Sequence, residues 1–408
     1  MVVSSPDLAS LLPKFCFPLP QSFCPQICPG CAHRAKTEEE SLKQKADFLQ
    51  QQLAPWQALI MPIQGPMQRT AYRDRVCLNV QEQALKWQWG MIIREQFLLL
   101  TDCPLQTPAI NRLLNLMMEI LNGARISAEE LPLRFILING RQIGWVVKQH
   151  PQAELLRKMI PILEEFKPQL AQDSASFWWH WNPSCGKRVT AKKTWQKLWG
   201  REYGITAEGL HYGPMSFRQV HPTMYQEALQ KAATYFWPGQ ISESQEKNKR
   251  QNQVMVDLYC GIGTSIYYWR QQGIDEEQIL GVELNGDAIT HAAENFPQAV
   301  FLRGTPEQRI PQILPWAQGK QREESGKEVY LFVNPPRLGL SSELIKFIGQ
   351  DLRPAKMVYL SCSPGTLARD LQELASWGIC PQKIFPYDFF PQTPHVETLV
   401  WLGVDQGA

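Results

Sequence analysis

No stretch of the sequence approaches the ~18 consecutive apolar residues of a membrane span; even Ile92-Ile93 is followed at once by Arg94 and Glu95. A membrane role is therefore not expected. No basic stretch precedes an apolar one at the N-terminus, so a secretory signal is not read and a cytoplasmic location is the expectation. Charge of one sign is scarce too. A formal net charge of +2 supplies no global basic field that would draw in a polyanion. The phosphate-cradling loop ending in Gly-Lys-Ser/Thr is missing, which argues against nucleoside triphosphate hydrolysis. Internal repeats are also absent.

What is present fits a soluble globular chain: 44% hydrophobic and 20% charged residues over 408 positions, room for two or three domains. A monomer is the expected state. Cysteine is not scarce. Ten cysteines in a reducing compartment argue against a disulfide framework. Four of them, Cys16, Cys24, Cys28 and Cys31, crowd a Pro-rich N-terminal stretch with no helical period, which reads as a loop needing an external staple such as a metal or cluster. Glu38 to Leu53 reads as an exposed helix. Basic charge is concentrated at Lys187, Arg188, Lys192, Lys193, Lys197 and Arg201, with Trp195 and Trp199 interleaved. Such a run could follow a phosphate backbone while its aromatics stack on bases, or it could simply be a solvated face.

Texture divides the chain. Residues 1–70 form a cysteine-rich, cluster-binding segment with its helix. Residues 71–213 mix short strands (Cys77–Val80, Phe97–Leu100, Phe135–Ile138, Ile143–Val147, Phe177–Trp181) with a helical pattern at Asn111–Leu121, an α+β domain. Residues 214–408 alternate strands at 254–259, 279–282, 329–333 and 357–360 with helices, which predicts an α/β, doubly wound, mostly parallel sheet. Two polar stretches, 240–253 and 319–328, read as surface inserts.

In this last part, Asp257-Leu-Tyr-Cys-Gly-Ile-Gly-Thr264 follows a strand and opens a helix. Its glycines allow a tight turn and close backbone approach to a ligand, although a purely structural turn uses them equally well. Glu283 ends the second strand, where a carboxylate suits ribose hydroxyls. Asn334-Pro-Pro-Arg337 sits at a later strand tip. Cys362 lies just past a strand and ahead of a helix, where the local dipole should lower a thiol pKa; a core cysteine is the competing reading. Further on, His395 and Glu397 share a face if they lie on a strand, and Glu397 is a candidate general base.

These motifs together resemble the S-adenosylmethionine-dependent RNA uridine-C5 methyltransferases. Asp257 to Thr264 looks like that family's first cofactor motif. Ser361-Cys-Ser-Pro-Gly-Thr-Leu-Ala-Arg-Asp370 is similar to its nucleophile motif, Phe390-Pro-Gln-Thr-Pro-His-Val-Glu397 to its base motif, and Phe217-Arg-Gln-Val-His221 to its Phe-Phe-Gln-Val-Asn segment. The likeness runs over roughly residues 20 to 402 and is strongest after 210. It implies Cys362 as nucleophile on uracil C6, Glu397 as base, and Gln219, Tyr259, Thr264, Glu283 and Asn334 around S-adenosylmethionine. Three positions depart from the family: Asn334 stands for the usual Asp, His221 and Ser363 for usual Asn.

The same resemblance covers Cys24-Pro-Gln-Ile-Cys28-Pro-Gly-Cys31 and Cys103-Pro-Leu, which look like the family's iron–sulfur ligands with a shorter first gap. It implies a [4Fe-4S] cluster on Cys24, Cys28, Cys31 and Cys103, with zinc as the lesser alternative and Cys16 as a substitute ligand. About twenty residues precede Cys24, so the N-terminal barrel of some relatives is not expected. The partner implied is RNA, ribosomal RNA ahead of transfer RNA. Competing readings are an exocyclic-amine methyltransferase, which wants an aromatic where Arg337 stands, and a non-catalytic RNA-binding module.

Overall fold

Alternating burial at Val76, Leu78 and Val80, with Cys77 and Asn79 between them facing away, makes Arg75–Gln83 a one-sided strand. It belongs to an antiparallel-rich sheet. The structure, a computed structural model, describes residues 24, 28–84, 86–148, 153–183, 189, 195–238, 253–323 and 327–404. The sheet comprises β1 (Arg75–Gln83), β2 (Lys86–Ile93), β3 (Gln96–Leu99), β4 (Leu133–Asn139), β5 (Gln142–Val147), β6 (Ser176–Trp181) and β7 (Trp195–Gly200), in the order β3-β2-β1-β4-β5-β6-β7. Only β5 and β6 pair in parallel, joined by a helical crossover. One face is covered by α2 (Pro108–Ala124) and α3 (Ala153–Asp173), which follow α1 (Glu38–Gln52) in the chain, around Trp89, Trp145, Phe177 and Trp179. Lys187, Arg188, Lys192 and Lys193 of the basic run, like Cys16, lie outside the described residues. Of the rest of the run, Lys197 pairs with Glu202 at 2.8 Å and Trp195 stacks on His180.

A short hairpin, β8 (Gly204–Ile205) with β9 (His211–Tyr212), leads to α4 (Pro222–Phe236) and the second sheet. Its strands are β10 (Gln253–Leu258), β11 (Ile279–Glu283), β12 (Val300–Arg303), β13 (Glu328–Val333), β14 (Lys356–Ser361), β15 (Ile379–Tyr387) and β16 (Glu397–Val404), ordered β12-β11-β10-β13-β14-β16-β15. The first five run parallel; β16 is antiparallel to both of its neighbours. The helices are α5 (Thr264–Gln271), α6 (Gly286–Asn295), α7 (Pro306–Glu323), α8 (Ser342–Phe347) and α9 (Pro364–Ala375). Separate apolar cores lie on the two faces, one around Leu258, Leu331 and Leu367, the other around Trp269, Phe332 and Phe236. This is the doubly wound α/β arrangement read from the strand–helix alternation. The order reverses at β10, so the tips of β10 and β13 flank the crevice where such sheets hold ligands.

Three local expectations change. Helix α1 is not an exposed helix: Ser41, Lys45 and Leu49 are buried, and Leu49 and Leu53 join a core of the second sheet. Two of those buried residues are polar, which is why no apolar stripe marked the inward face. Residues 319–323 are the end of α7 rather than an insert, because Gly and polar residues are tolerated on a helix's solvated last turns. Finally, β16 begins at Glu397, so His395 sits in the preceding turn, exposed, while Glu397 is buried.

Candidate active site

The turn after β10 is held in an unusual backbone conformation. Tyr259, Gly261 and Gly263 all have positive φ, 64°, 58° and 84°. A Cβ on Gly263 would lie 2.7 Å from the Phe296 ring, so both its conformation and its space call for glycine. The turn directs the Gly261 amide to Glu283 Oε2 at 3.1 Å; the other carboxylate oxygen accepts from the Asn285 amide at 2.6 Å. Glu283 is thereby fixed at the tip of β11.

Beside this turn lies a cavity of about 60 Å³, lined by Gln219, Tyr259, Thr264 and Asn334 together with Phe217, Tyr225 and Glu208. Four of the five residues expected around the cofactor share this cavity, and Glu283 is bonded to its Gly261 wall. Tyr225 was not anticipated. Burial raises the pKa of its hydroxyl, and the neighbouring Asn334 side chain opposes the rise. Only a lone tyrosine on the first turn of α4 marked it in the sequence, and that is no signal by itself.

Asn334 is tied to the β10 tip by its amide, 3.3 Å from the Leu258 carbonyl. The loop that follows is strapped to α9. Thr366 Oγ1 donates to the Arg337 carbonyl at 3.2 Å, Arg369 donates to the Leu338 and Leu340 carbonyls at 2.9 and 3.0 Å, and Asp370 accepts from the Leu340 amide at 2.8 Å. Arg337 is thus carried into the neighbourhood of Cys362, where its charge opposes the rise of the thiol pKa.

The pairing of Ser361 with Thr398 carries the next residue, Cys362, alongside Glu397. The expected lowering of the thiol pKa is not found. Burial first, and then the Glu397 charge, push Cys362 up to about 11, against the opposing pull of Arg337. The α9 dipole is too weak to reverse this, since desolvation of a thiolate outweighs a half-charge at a helix end. Glu397 is 2% exposed, and its Oε2 has no hydrogen-bond partner among the described residues. Burial pushes its pKa up to about 8, again opposed by Arg337. Two acids of raised pKa thus share one cation at the tip of β14, and of the two the Glu397 carboxyl is the one able to exchange protons near neutral pH. The sequence marked Arg337 only as the residue standing where an aromatic could have been.

Cys24, Cys28, Cys31 and Cys103 line a second cavity, of about 190 Å³, with Arg73 on its wall. Cys31 is pushed up to about 12, by burial and then by the nearby Cys103, Cys24 and Cys28 thiols. Among the described residues, no group of three or more His, Cys, Asp or Glu side chains is arranged to hold a metal ion. No described helix is long and apolar enough to cross a membrane.

Comparison with known proteins follows the same lines. Residues 324–404 match the family model for tRNA (uracil-5-)-methyltransferase. An uncharacterized RNA methyltransferase of Protochlamydia amoebophila is 28% identical over 93% of this chain and 82% of its own length. One from Halalkalibacterium halodurans is 32% identical, over 54% of this chain and 45% of its own length. Among solved structures, the Pyrococcus abyssi tRNA (uracil-54, C5)-methyltransferase in complex with S-adenosyl-L-homocysteine has a TM-score of 0.67 at 20% identity, covering 92% of this chain and 86% of its own. The fold is shared with that enzyme, and the segment that is similar to the uracil-5-methyltransferase model contains Asn334, Cys362 and Glu397.

Proposed function

We propose that the protein transfers a methyl group from S-adenosylmethionine to C5 of a uridine in RNA. The observation that carries this is the juxtaposition of Cys362, Arg337 and buried Glu397 next to the crevice lined by Gln219, Tyr259, Thr264 and Asn334. Uracil C5 is a poor nucleophile. Addition of the Cys362 thiolate to C6 makes an enolate whose electron pair is delivered from C5 to the incoming methyl group. Glu397 then takes the C5 proton, the electron pair re-forms the C5–C6 double bond, and the thiolate leaves. S-adenosylmethionine supplies the electrophilic methyl. Glu283, at the tip of β11, would accept from ribose hydroxyls, and Asn334 would offer an amide where a carboxylate would carry charge. The uridine has to leave its stack to reach Cys362.

The substrate we favour is 23S ribosomal RNA, with the transfer RNA T-loop as the second reading. Residues 71–213 are read as the RNA-binding domain and 214–408 as the catalytic domain. We favour a [4Fe-4S] cluster over zinc on Cys24, Cys28, Cys31 and Cys103. All four line one cavity, and the other three thiols each raise the Cys31 pKa, which supports their sharing one site. Bound there, the cluster would supply structure rather than redox chemistry, because methyl transfer needs no electron. Residues 1–70 are the segment it would staple.

The test is direct. The protein, purified without air, is incubated with labelled S-adenosylmethionine and transcripts of both RNAs, and the labelled nucleotide is mapped. Label is expected at uridine C5 and none is expected with Cys362→Ala, which should still bind S-adenosylhomocysteine. Label at an exocyclic amine, or full activity in Cys362→Ala, overturns the reading.

A further inference from the structure

The turn that delivers Glu397 runs from Asp388 to Val396, between β15 and β16. It makes few bonds within itself: Thr393 Oγ1 donates to the Phe390 carbonyl at 2.8 Å, and the His395 amide donates to Thr393 Oγ1 at 3.3 Å. Gln392 holds a positive φ of 67° without being glycine. Such a turn needs support from outside to hold one conformation.

That support comes from residues more than 300 positions earlier. The Lys45 side chain, on α1, is fully buried and ion-paired with the fully buried Asp388. The same ammonium donates to the Phe390 carbonyl at 3.1 Å. Arg69 reaches the other Asp388 oxygen at 3.3 Å. The Tyr72 hydroxyl donates to the Pro391 carbonyl at 3.3 Å, and the Gln392 carbonyl accepts from the His33 amide at 3.0 Å. The Asp388 amide is held by the Gln64 carbonyl at 2.8 Å. Every residue from Asp388 to Gln392 except Phe389 is thus gripped by the segment 33–72; Phe389 is itself anchored in the core.

We infer that Lys45 is a positioning residue for the proposed base: through Asp388 and Phe390 it fixes the turn that sets Glu397 against Cys362. This rests on the reading of Glu397 given above. A buried lysine is costly to desolvate, and burial does lower its pKa against the pull of Asp388. Leucine or methionine would satisfy packing alone at that position. What an ammonium adds is two simultaneous bonds, to a carboxylate at the turn's first residue and to a carbonyl two residues on, which apolar packing cannot reproduce.

The experiment compares wild type, Lys45→Met/Asp388→Leu, Tyr72→Phe and Glu397→Gln. The double variant replaces the pair by apolar groups, which leaves no unpaired buried charge. Each protein is checked for a cooperative melt and for S-adenosylhomocysteine binding. The readouts are kcat, KM for RNA, and the fraction of enzyme caught as a denaturant-resistant RNA adduct. A displaced base leaves the thiol addition and methyl transfer intact but slows proton removal, so the methylated adduct accumulates. For Lys45→Met/Asp388→Leu we expect kcat to fall on the order of tenfold to a hundredfold, unchanged KM, and a raised adduct fraction. Tyr72→Phe should show the same signature more weakly, and it decides the matter if the double variant fails to fold. Wild-type kcat in these variants, or a lower kcat without adduct, overturns the inference. Glu397→Gln separates the failures: wild-type turnover there overturns the assignment of the base, whereas adduct in Glu397→Gln and none in the others overturns only the role of Lys45.

Discussion

Replacing Arg337 with methionine removes a cation that acts on both Cys362 and Glu397. Two unit charges ~4 Å apart interact by about 1 kcal/mol in water and about 4 kcal/mol at an effective dielectric near 20. Arg337 is exposed, so the lower end applies, and about 1.4 kcal/mol corresponds to a tenfold change in each acid constant. Both groups start high, near 11 for the thiol and near 8 for the carboxylic acid. Losing the cation moves both further up. If the thiolate and carboxylate are both required, their joint population near neutral pH drops by roughly a hundredfold. The assay is the initial rate of labelled methyl transfer from about pH 6 to about pH 10. Wild type should rise with pH over this range. The Arg337→Met profile should rise about one pH unit later, with the gap to wild type narrowing from roughly a hundredfold near neutral pH to roughly tenfold at about pH 10, where only the thiol still differs. A variant slower by the same factor at every pH refutes the reasoning and puts the guanidinium on the RNA instead.

Glu397 also links stability to pH. Its folded pKa, about 8, lies above the ordinary 4.5, so the folded state binds the proton more tightly. The stabilisation is complete below about 4.5 and is lost as pH rises through about 8, a swing on the order of 5 kcal/mol. Glu397→Gln removes the swing. Denaturant titrations at about pH 5 and about pH 9 should show wild type losing stability relative to the variant, and parallel losses would refute the shift. At the cysteine cavity, Cys31→Ser should strip iron and acid-labile sulfide from protein prepared without air and lower its melting temperature. Stoichiometric zinc in wild type instead would refute the cluster.

The sequence by itself determined the doubly wound class of the second half of the fold and put forward the residues of the candidate site, but it did not mark β12 or β15. Strand patterns at 254–259, 279–282, 329–333 and 357–360 were legible because buried parallel strands are continuous apolar runs. Cys362, Glu397 and the Gly261–Gly263 turn were legible because their residue types are tied to a chemistry or a backbone conformation. Short apolar runs likewise marked β1, β3, β4, β5 and β6 in the first half, but not β2 or β7.

Tertiary structure alone decided how these groups behave. The helix ahead of Cys362 suggested an easily ionised thiol. The fold half-buries that thiol beside Glu397, and desolvation, a property of the whole neighbourhood, outweighs the local dipole. Arg337 gained its place from loop bonds to α9, which no local pattern encodes. Helix α1 read as solvated because its inward face carries Ser41 and Lys45, and only a partner 343 positions away makes a buried lysine tolerable. Residues far apart in the chain carry no pairwise signal in a single sequence. Burial and ion pairing are set by which surfaces meet, and those are decided when the sheets and helices close on one another.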